Sequence, residues 1–116
     1  MLEGFGVGWR KPLLGTRLYN VLRGSSAFVL ALDGRKVIGF ANALSDGSLM
    51  AYIPLLEVRR EYQGRGVGTE LIQRLIVGLG AHYGIDLLCD ESLVPFYERL
   101  GMQRVSGMCI RNFDAL

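Results

Sequence analysis

Apolar and polar positions change their spacing several times along the chain, and each change predicts an element. Phe5 to Trp9 is a short glycine-rich apolar segment that reads as an edge strand. From Pro12 onward, Leu14, Leu18, Val21 and Leu22 recur at helical spacing, and Gly24 closes the stretch. Ala27 to Leu32 and Lys36 to Leu44 are apolar runs joined by Asp33-Gly34-Arg35, and a D-G step between two such runs is a strong hairpin signal. Ser45-Asp46-Gly47-Ser48 makes a second turn into Leu49 to Val58. The first half therefore predicts a strand, a helix and a three-strand antiparallel meander.

The second half changes style. Polar Arg59 to Tyr62 leads into Gln63-Gly-Arg-Gly-Val-Gly-Thr69, after which Val67, Leu71, Ile72, Leu75, Ile76 and Leu79 predict an amphipathic helix ending near Gly84. Ile85 to Cys89 reads as a buried strand. Leu93, Phe96, Tyr97 and Leu100 predict a last helix stopped by Gly101, and Met102 to Arg111 predicts one or two closing strands. No linker or repeat interrupts the pattern, so residues 1–116 read as a single α/β domain.

Composition narrows the class. Half of the 116 residues are apolar and 21% are charged, which excludes disorder and collagen-like repeats. The net charge of +2, with Glu57, Glu61 and Glu70 interleaved among the arginines, argues against a nucleic-acid partner. Cys89, Cys109 and the one histidine, His82, show no metal-ligand spacing, so no metal site is expected. His82 itself reads as structural or solvent-facing. The start lacks a basic region followed by an apolar one, and the longest uninterrupted apolar run is Ala27 to Leu32. Neither a signal peptide nor a membrane span is expected, and the reading is cytoplasmic.

Glycine is the outlier, at 16 residues. The alternation at Gly64, Gly66 and Gly68 lets successive backbone N–H groups turn inward toward an anion, and the following helix adds its unpaired amides and dipole. Arg59, Arg60, Arg65 and Arg74 lie nearby in sequence. The segment reads as a phosphate or pyrophosphate cradle, or else as a tight strand-to-helix turn with no ligand. A Walker A loop is excluded because no lysine follows Lys36. A Rossmann fingerprint fits poorly, since Thr69 replaces its third glycine and an antiparallel meander precedes the loop.

Two motifs, with the order of elements, resemble the GNAT superfamily of acyl-CoA-dependent N-acetyltransferases. Val58-Arg-Arg-Glu-Tyr-Gln-Gly-Arg-Gly-Val-Gly-Thr69 is similar to that family's Q/R-x-x-G-x-G/A signature, and Phe96-Tyr-Glu-Arg-Leu-Gly-Met102 to the F-Y-E-K-L-G-F of its last helix. The resemblance implies an α/β (α+β) fold. Its mixed, mostly antiparallel sheet would have about six to seven strands, flanked by about three helices, with a splayed parallel pair holding the cofactor. It implies acetyl transfer from acetyl-CoA to a primary amine, on a small molecule or a peptide, by direct attack in a ternary complex.

The residue roles follow from the same resemblance. Gln63, Gly64, Arg65, Gly66, Val67, Gly68 and Thr69 would hold the CoA pyrophosphate. Leu56 and Val58 would pair with the pantetheine arm, with Phe96 also beside the cofactor. An N–H of the splayed strand would polarise the thioester carbonyl, and Tyr97 would protonate the leaving thiolate. From periodicity alone, Tyr97 reads as a core aromatic. Glu57, Tyr52 and Asp46, or a water held by one of them, are candidates for the general base, and Glu57 also reads as a solvated strand residue. The chain has room for one helix between its first two strands where the family commonly has two, and Asp90 stands where the family often has asparagine. An open acceptor side is therefore expected, with a homodimer as one way to complete it. A non-catalytic acyl-CoA-binding module is the alternative reading.

Overall fold

Residues 15–116 are described in the structure, a computed structural model. They form α1 (Gly15–Arg23), β1 (Ala27–Asp33), β2 (Lys36–Ser45), β3 (Met50–Val58), α2 (Val67–Leu79), β4 (Gly84–Asp86) and α3 (Val94–Arg99). Short 3₁₀ turns lie at Arg60–Tyr62, Glu91–Leu93 and Phe113–Ala115. The sheet runs β1-β2-β3-β4, antiparallel except for the parallel β3–β4 pair.

The turns are built locally. Asp33 pairs with Lys36 across Gly34, whose φ of 61° suits the tight reversal. In the second turn Asp46 Oδ1 accepts the N–H groups of Ser48 and Leu49, both at 2.7 Å. Those bonds, Leu49's foremost, hold the Asp46 carboxyl below its ordinary range.

β2 is covered on both faces, which explains its nearly unbroken apolar run. Phe40 and Val37 pack with Leu18 and Leu22 of α1. Ala41 and Ala43 face the other way, onto Leu71, Ile72 and Leu75 of α2, together with Ile53 and Tyr97. Small residues on that face let α2 approach closely. A Cβ added at Gly39 would lie 3.1 Å from both the Leu71 side chain and the Glu57 carbonyl oxygen.

β3 carries an irregularity that shapes the rest of the molecule. Asn42 pairs with Leu55 but Leu44 pairs with Tyr52, so β3 has one extra residue at Ile53–Pro54. Pro54 has no N–H to lose from a ladder, which suits it to a bulge. β4 pairs with β3 only from Met50↔Gly84 to Tyr52↔Asp86. The two parallel strands part where the bulge begins.

The expected three helices are present, but the expected six to seven strands are not: the described residues contain a sheet of four. Phe5 to Trp9, and the Pro12 start of the first helix, lie outside the described residues. The strand expected at Ile85 to Cys89 is only Gly84–Asp86. Met102 to Arg111 forms no strand, and Val105, Met108 and Ile110 are exposed. An apolar run becomes a strand only where another edge supplies half the ladder, and the three-residue β4 offers little edge. Among the described residues no helix is long and apolar enough to cross a membrane.

The packing makes opposite predictions for two glycines. Gly39→Ala should cost about 1–3 kcal/mol by overpacking, whereas Gly78→Ala, in open space on α2, should gain about 0.5–1 kcal/mol. Urea denaturation of the two variants beside the parent measures both.

Candidate active site

The site begins with the hydrogen-bond alternation of β3. Arg59 N–H donates to the Ile38 carbonyl at 2.7 Å, so Glu57 and Leu55 also turn their N–H groups toward β2. Those of Leu56 and Val58 point the other way, into the gap left by β4. The Val58 carbonyl also faces that side, where it accepts Gln63 Nε2–H at 2.9 Å.

The loop after β3 supplies more donors. Gly64 and Gly66 have φ of 75° and 83°, a region unfavourable to residues with a Cβ. Gly66 is the N-cap of α2 and has no side chain to satisfy the helix's first amides. The regular helical bonding starts with Glu70 N–H to the Gly66 carbonyl, at 3.1 Å. The amides of Val67, Gly68 and Thr69 are left for an occupant of the adjoining cleft, backed by the positive end of the helix dipole.

That cleft has a volume of about 560 Å³. Leu56, Glu57 and Val58 line it from β3; Gln63, Gly64, Gly66, Val67, Gly68 and Thr69 from the loop and α2; Phe96 and Tyr97 from α3. Residues distant in sequence are thus brought to one place with the donors an elongated anionic ligand needs. The fit to acetyl-CoA rests on these amides and on the unpaired side of β3.

Tyr62 and Leu93 also line the cleft, and sequence reasoning missed both. Tyr62 was legible as the aromatic directly before Gln63. Its hydroxyl donates to Asp33 at 2.5 Å, tying the β1–β2 turn to the loop. Arg65 does not line the cleft; its guanidinium lies 5.6 Å from the Tyr62 ring centre, with Lys36 Nζ 5.8 Å from the same ring. Arg74, counted among the nearby positive charges, pairs with Glu70 one turn earlier, at 2.7 Å.

Tyr97 is buried, with its ring edge-on to Phe96 at a centroid distance of 4.9 Å. Burial pushes its phenol up to about 12, and nearby Cys89 adds to the shift. Its aromatic body completes the α2-side core while its ring also borders the cleft, so the packing and the chemical readings of this residue coexist.

The base candidates separate in space. Glu57 lines the main cleft, whereas Tyr52 and Asp46 line a second cavity of about 380 Å³, with Ser45 and Asp86. His82 joins neither: Nε2 lies 2.6 Å from Ser45 Oγ and Nδ1 3.3 Å from the Gly80 carbonyl oxygen, linking the α2–β4 connection to the end of β2. Among the described residues no group of three or more His, Cys, Asp or Glu is placed to hold a metal ion.

Comparison with known proteins adds identity to this geometry. The model of the acetyltransferase (GNAT) family matches residues 2–102. GCN5-related N-acetyltransferase 2, a chloroplastic protein of Arabidopsis thaliana, is 32% identical over 118 residues, covering 84% of this chain and 46% of its own length. Serotonin N-acetyltransferase of Mesocricetus auratus is 36% identical over 66 residues, covering 54% and 31%. The chain thus spans less than half the length of these two curated relatives. A crystal structure from Deinococcus radiodurans R1, of a protein provisionally described as an acetyltransferase, superposes with a TM-score of 0.95 at 47% identity. It covers 97% of this chain and 80% of that one.

The raised Tyr97 pKa carries a stability prediction. The folded chain holds that proton more tightly than the unfolded one, so the contribution is complete below pH about 10 and lost as pH rises through about 12. The parent should lose more stability than Tyr97→Phe between those values. Denaturant titrations at stepped pH check the difference; Tyr62 titrates in both proteins and cancels.

Proposed function

The chain belongs to the acetyltransferase (GNAT) family, and from that premise we propose that it moves acetyl from acetyl-CoA to a primary amine by direct attack in a ternary complex. The observation that carries this reading is the convergence of the unpaired β3 edge, the uncapped α2 amides and Tyr97 on one cleft. The names of the Arabidopsis and Mesocricetus relatives favour nitrogen as the acceptor atom.

Acetyl-CoA when bound supplies the activated acyl carbon. The amides from Gly64 to Thr69 hold its pyrophosphate, and the outward backbone groups of Leu56 and Val58 align its extended arm as an added strand would. The Val58 carbonyl already accepts one hydrogen bond from the Gln63 amide and has a second lone pair for the arm. A β3 N–H facing the gap stabilises negative charge on the acyl oxygen.

Tyr97 holds its proton throughout the neutral range and donates it toward the departing sulfur. A free thiol has pKa about 8.5, so transfer from a phenol at about 12 is uphill in isolation. The same burial that raises the phenol also disfavours a thiolate beside it, which narrows the gap. The acceptor ammonium, with an ordinary pKa of about 10.4 for a lysine-like amine, loses its proton to Glu57 or to a water chain. Tyr52 and Asp86 sit where β3 and β4 begin to part, and the carboxylates of Asp86 and Asp46 on the same second cavity suit the approach of a cationic acceptor.

Tyr97→Phe should lower kcat about 10²-fold while leaving the Kd for CoA within about twofold. Unchanged turnover would remove the acid role. In the parent, the rate should rise with pH as the amine deprotonates and show no loss from Tyr97 ionisation before pH 10. Cofactor binding is checked separately by thermal unfolding with acetyl-CoA, CoA, ADP and NAD. A ligand at about 100 times its Kd adds roughly 2.7 kcal/mol. Stabilisation by CoA and acetyl-CoA alone is expected; none at millimolar concentration would sink the reading.

A further inference from the structure

We propose that Asn42 is a positioning residue that fixes the bulge in β3 and thereby keeps the Leu56 N–H turned into the cleft. This inference rests on the acetyl-transfer reading for its catalytic consequence, though not for its structural one. Asn42 is the one polar side chain in the run Val37 to Leu44 and is only 1% exposed. A buried amide is costly unless hydrogen-bonded, and this one is bonded at both ends. Its Oδ1 accepts the Leu55 N–H at 3.1 Å, and its Nδ2 donates to Ser25 Oγ at 3.0 Å. Ser25 Oγ in turn donates to the Val21 carbonyl at 2.7 Å, in the last turn of α1. A continuous chain therefore runs from α1 to the residue immediately after Ile53–Pro54.

The position of that chain gives it consequence. Beyond the bulge β3 has lost its pairing with β4, so only β2 fixes its register. A bulge can migrate along a strand, and a one-residue slip reverses which side each backbone N–H faces. The slip would turn the Leu56 and Val58 amides toward β2 and remove them from the cleft. Pro54 cannot resist it through an N–H of its own. The Asn42 oxygen marks Leu55 as the residue that must face β2, which leaves Leu56 facing out.

The test uses Asn42→Leu, which keeps the branched shape, with somewhat larger ends, but lacks the acceptor, and Asn42→Asp, which keeps the acceptor. In Asn42→Leu, kcat should fall about tenfold or more, while the Kd for CoA rises by a clearly smaller factor, because the arm loses its β3 amides but the loop amides that hold the pyrophosphate lie away from the bulge. Hydrogen exchange at the Leu55 amide should accelerate at least about tenfold. Asn42→Asp should restore kcat to within about threefold of the parent, at lower stability. Exchange at Leu55 unchanged in Asn42→Leu overturns the proposal, as does faster exchange with unaltered kcat. Equal losses in kcat and CoA affinity reduce Asn42 to an ordinary core residue and also overturn it. If Asn42→Leu does not fold, Ser25→Ala cuts the same chain one bond away. Its Leu55 amide should exchange about threefold faster, and unchanged exchange overturns the proposal. A parent that binds CoA but acetylates no amine defeats the acetyl-transfer reading instead, and Leu55 exchange then decides the structural part alone.

Discussion

β3 must meet the hydrogen-bonding demands of two neighbours, and it cannot satisfy both along its length. Its pairing with β2 continues to Val58, while its pairing with β4 ends at Tyr52. The extra residue at Ile53–Pro54 absorbs the conflict. Past that point one edge of the strand is bonded and the other faces a cleft, so the interior of the molecule contains an unused strand edge. Exposed edges usually invite aggregation. This one is recessed between α2, α3 and the glycine loop.

The remaining parts follow from keeping that edge open. α2 must lie close to β2 and β3 to wall the cleft, hence the small residues Gly39, Ala41 and Ala43 beneath it. Its first turn has no side-chain cap, because the capping position is Gly66. α3 is too short to stand alone, and it is held by Tyr97 in the core while Phe96 and Tyr97 turn toward the opening. The same residues thus hold the fold together and shape the site.

What could be read from the sequence was local. The D-G turn, the α2 periodicity and the alternating glycines each act within a few residues, and each lies where the pattern put it, although α2 stops at Leu79 rather than near Gly84. Leu56, Val58 and the lining residues between Gln63 and Thr69 were legible through the family resemblance, as were Phe96 and Tyr97 through its second motif, whereas Tyr62 and Leu93 were not. The strand total was not, because a strand depends on a partner edge remote in sequence. Counting by twos along β3 also puts Tyr52 and Leu56 on one face, but the bulge reverses the count and sends them to different cavities. Pro54 inside a strand and Asn42 inside an apolar run were the available signals, and both mark a departure from regular pairing.

The topology has a consequence in time as well as in space. β1, β2 and β3 are joined by short turns and can pair as successive hairpins, a local process on the scale of microseconds. The β3–β4 pair is parallel and separated by the whole of the loop and α2. Its loop-closure entropy must be met before any contact repays it, so it forms late. The walls of the cleft therefore close around a β3 whose register the meander has already chosen. A chain that errs in that choice would finish with its helices in place and the Leu56 and Val58 amides turned toward β2, a misfolded state nearly as compact as the native one.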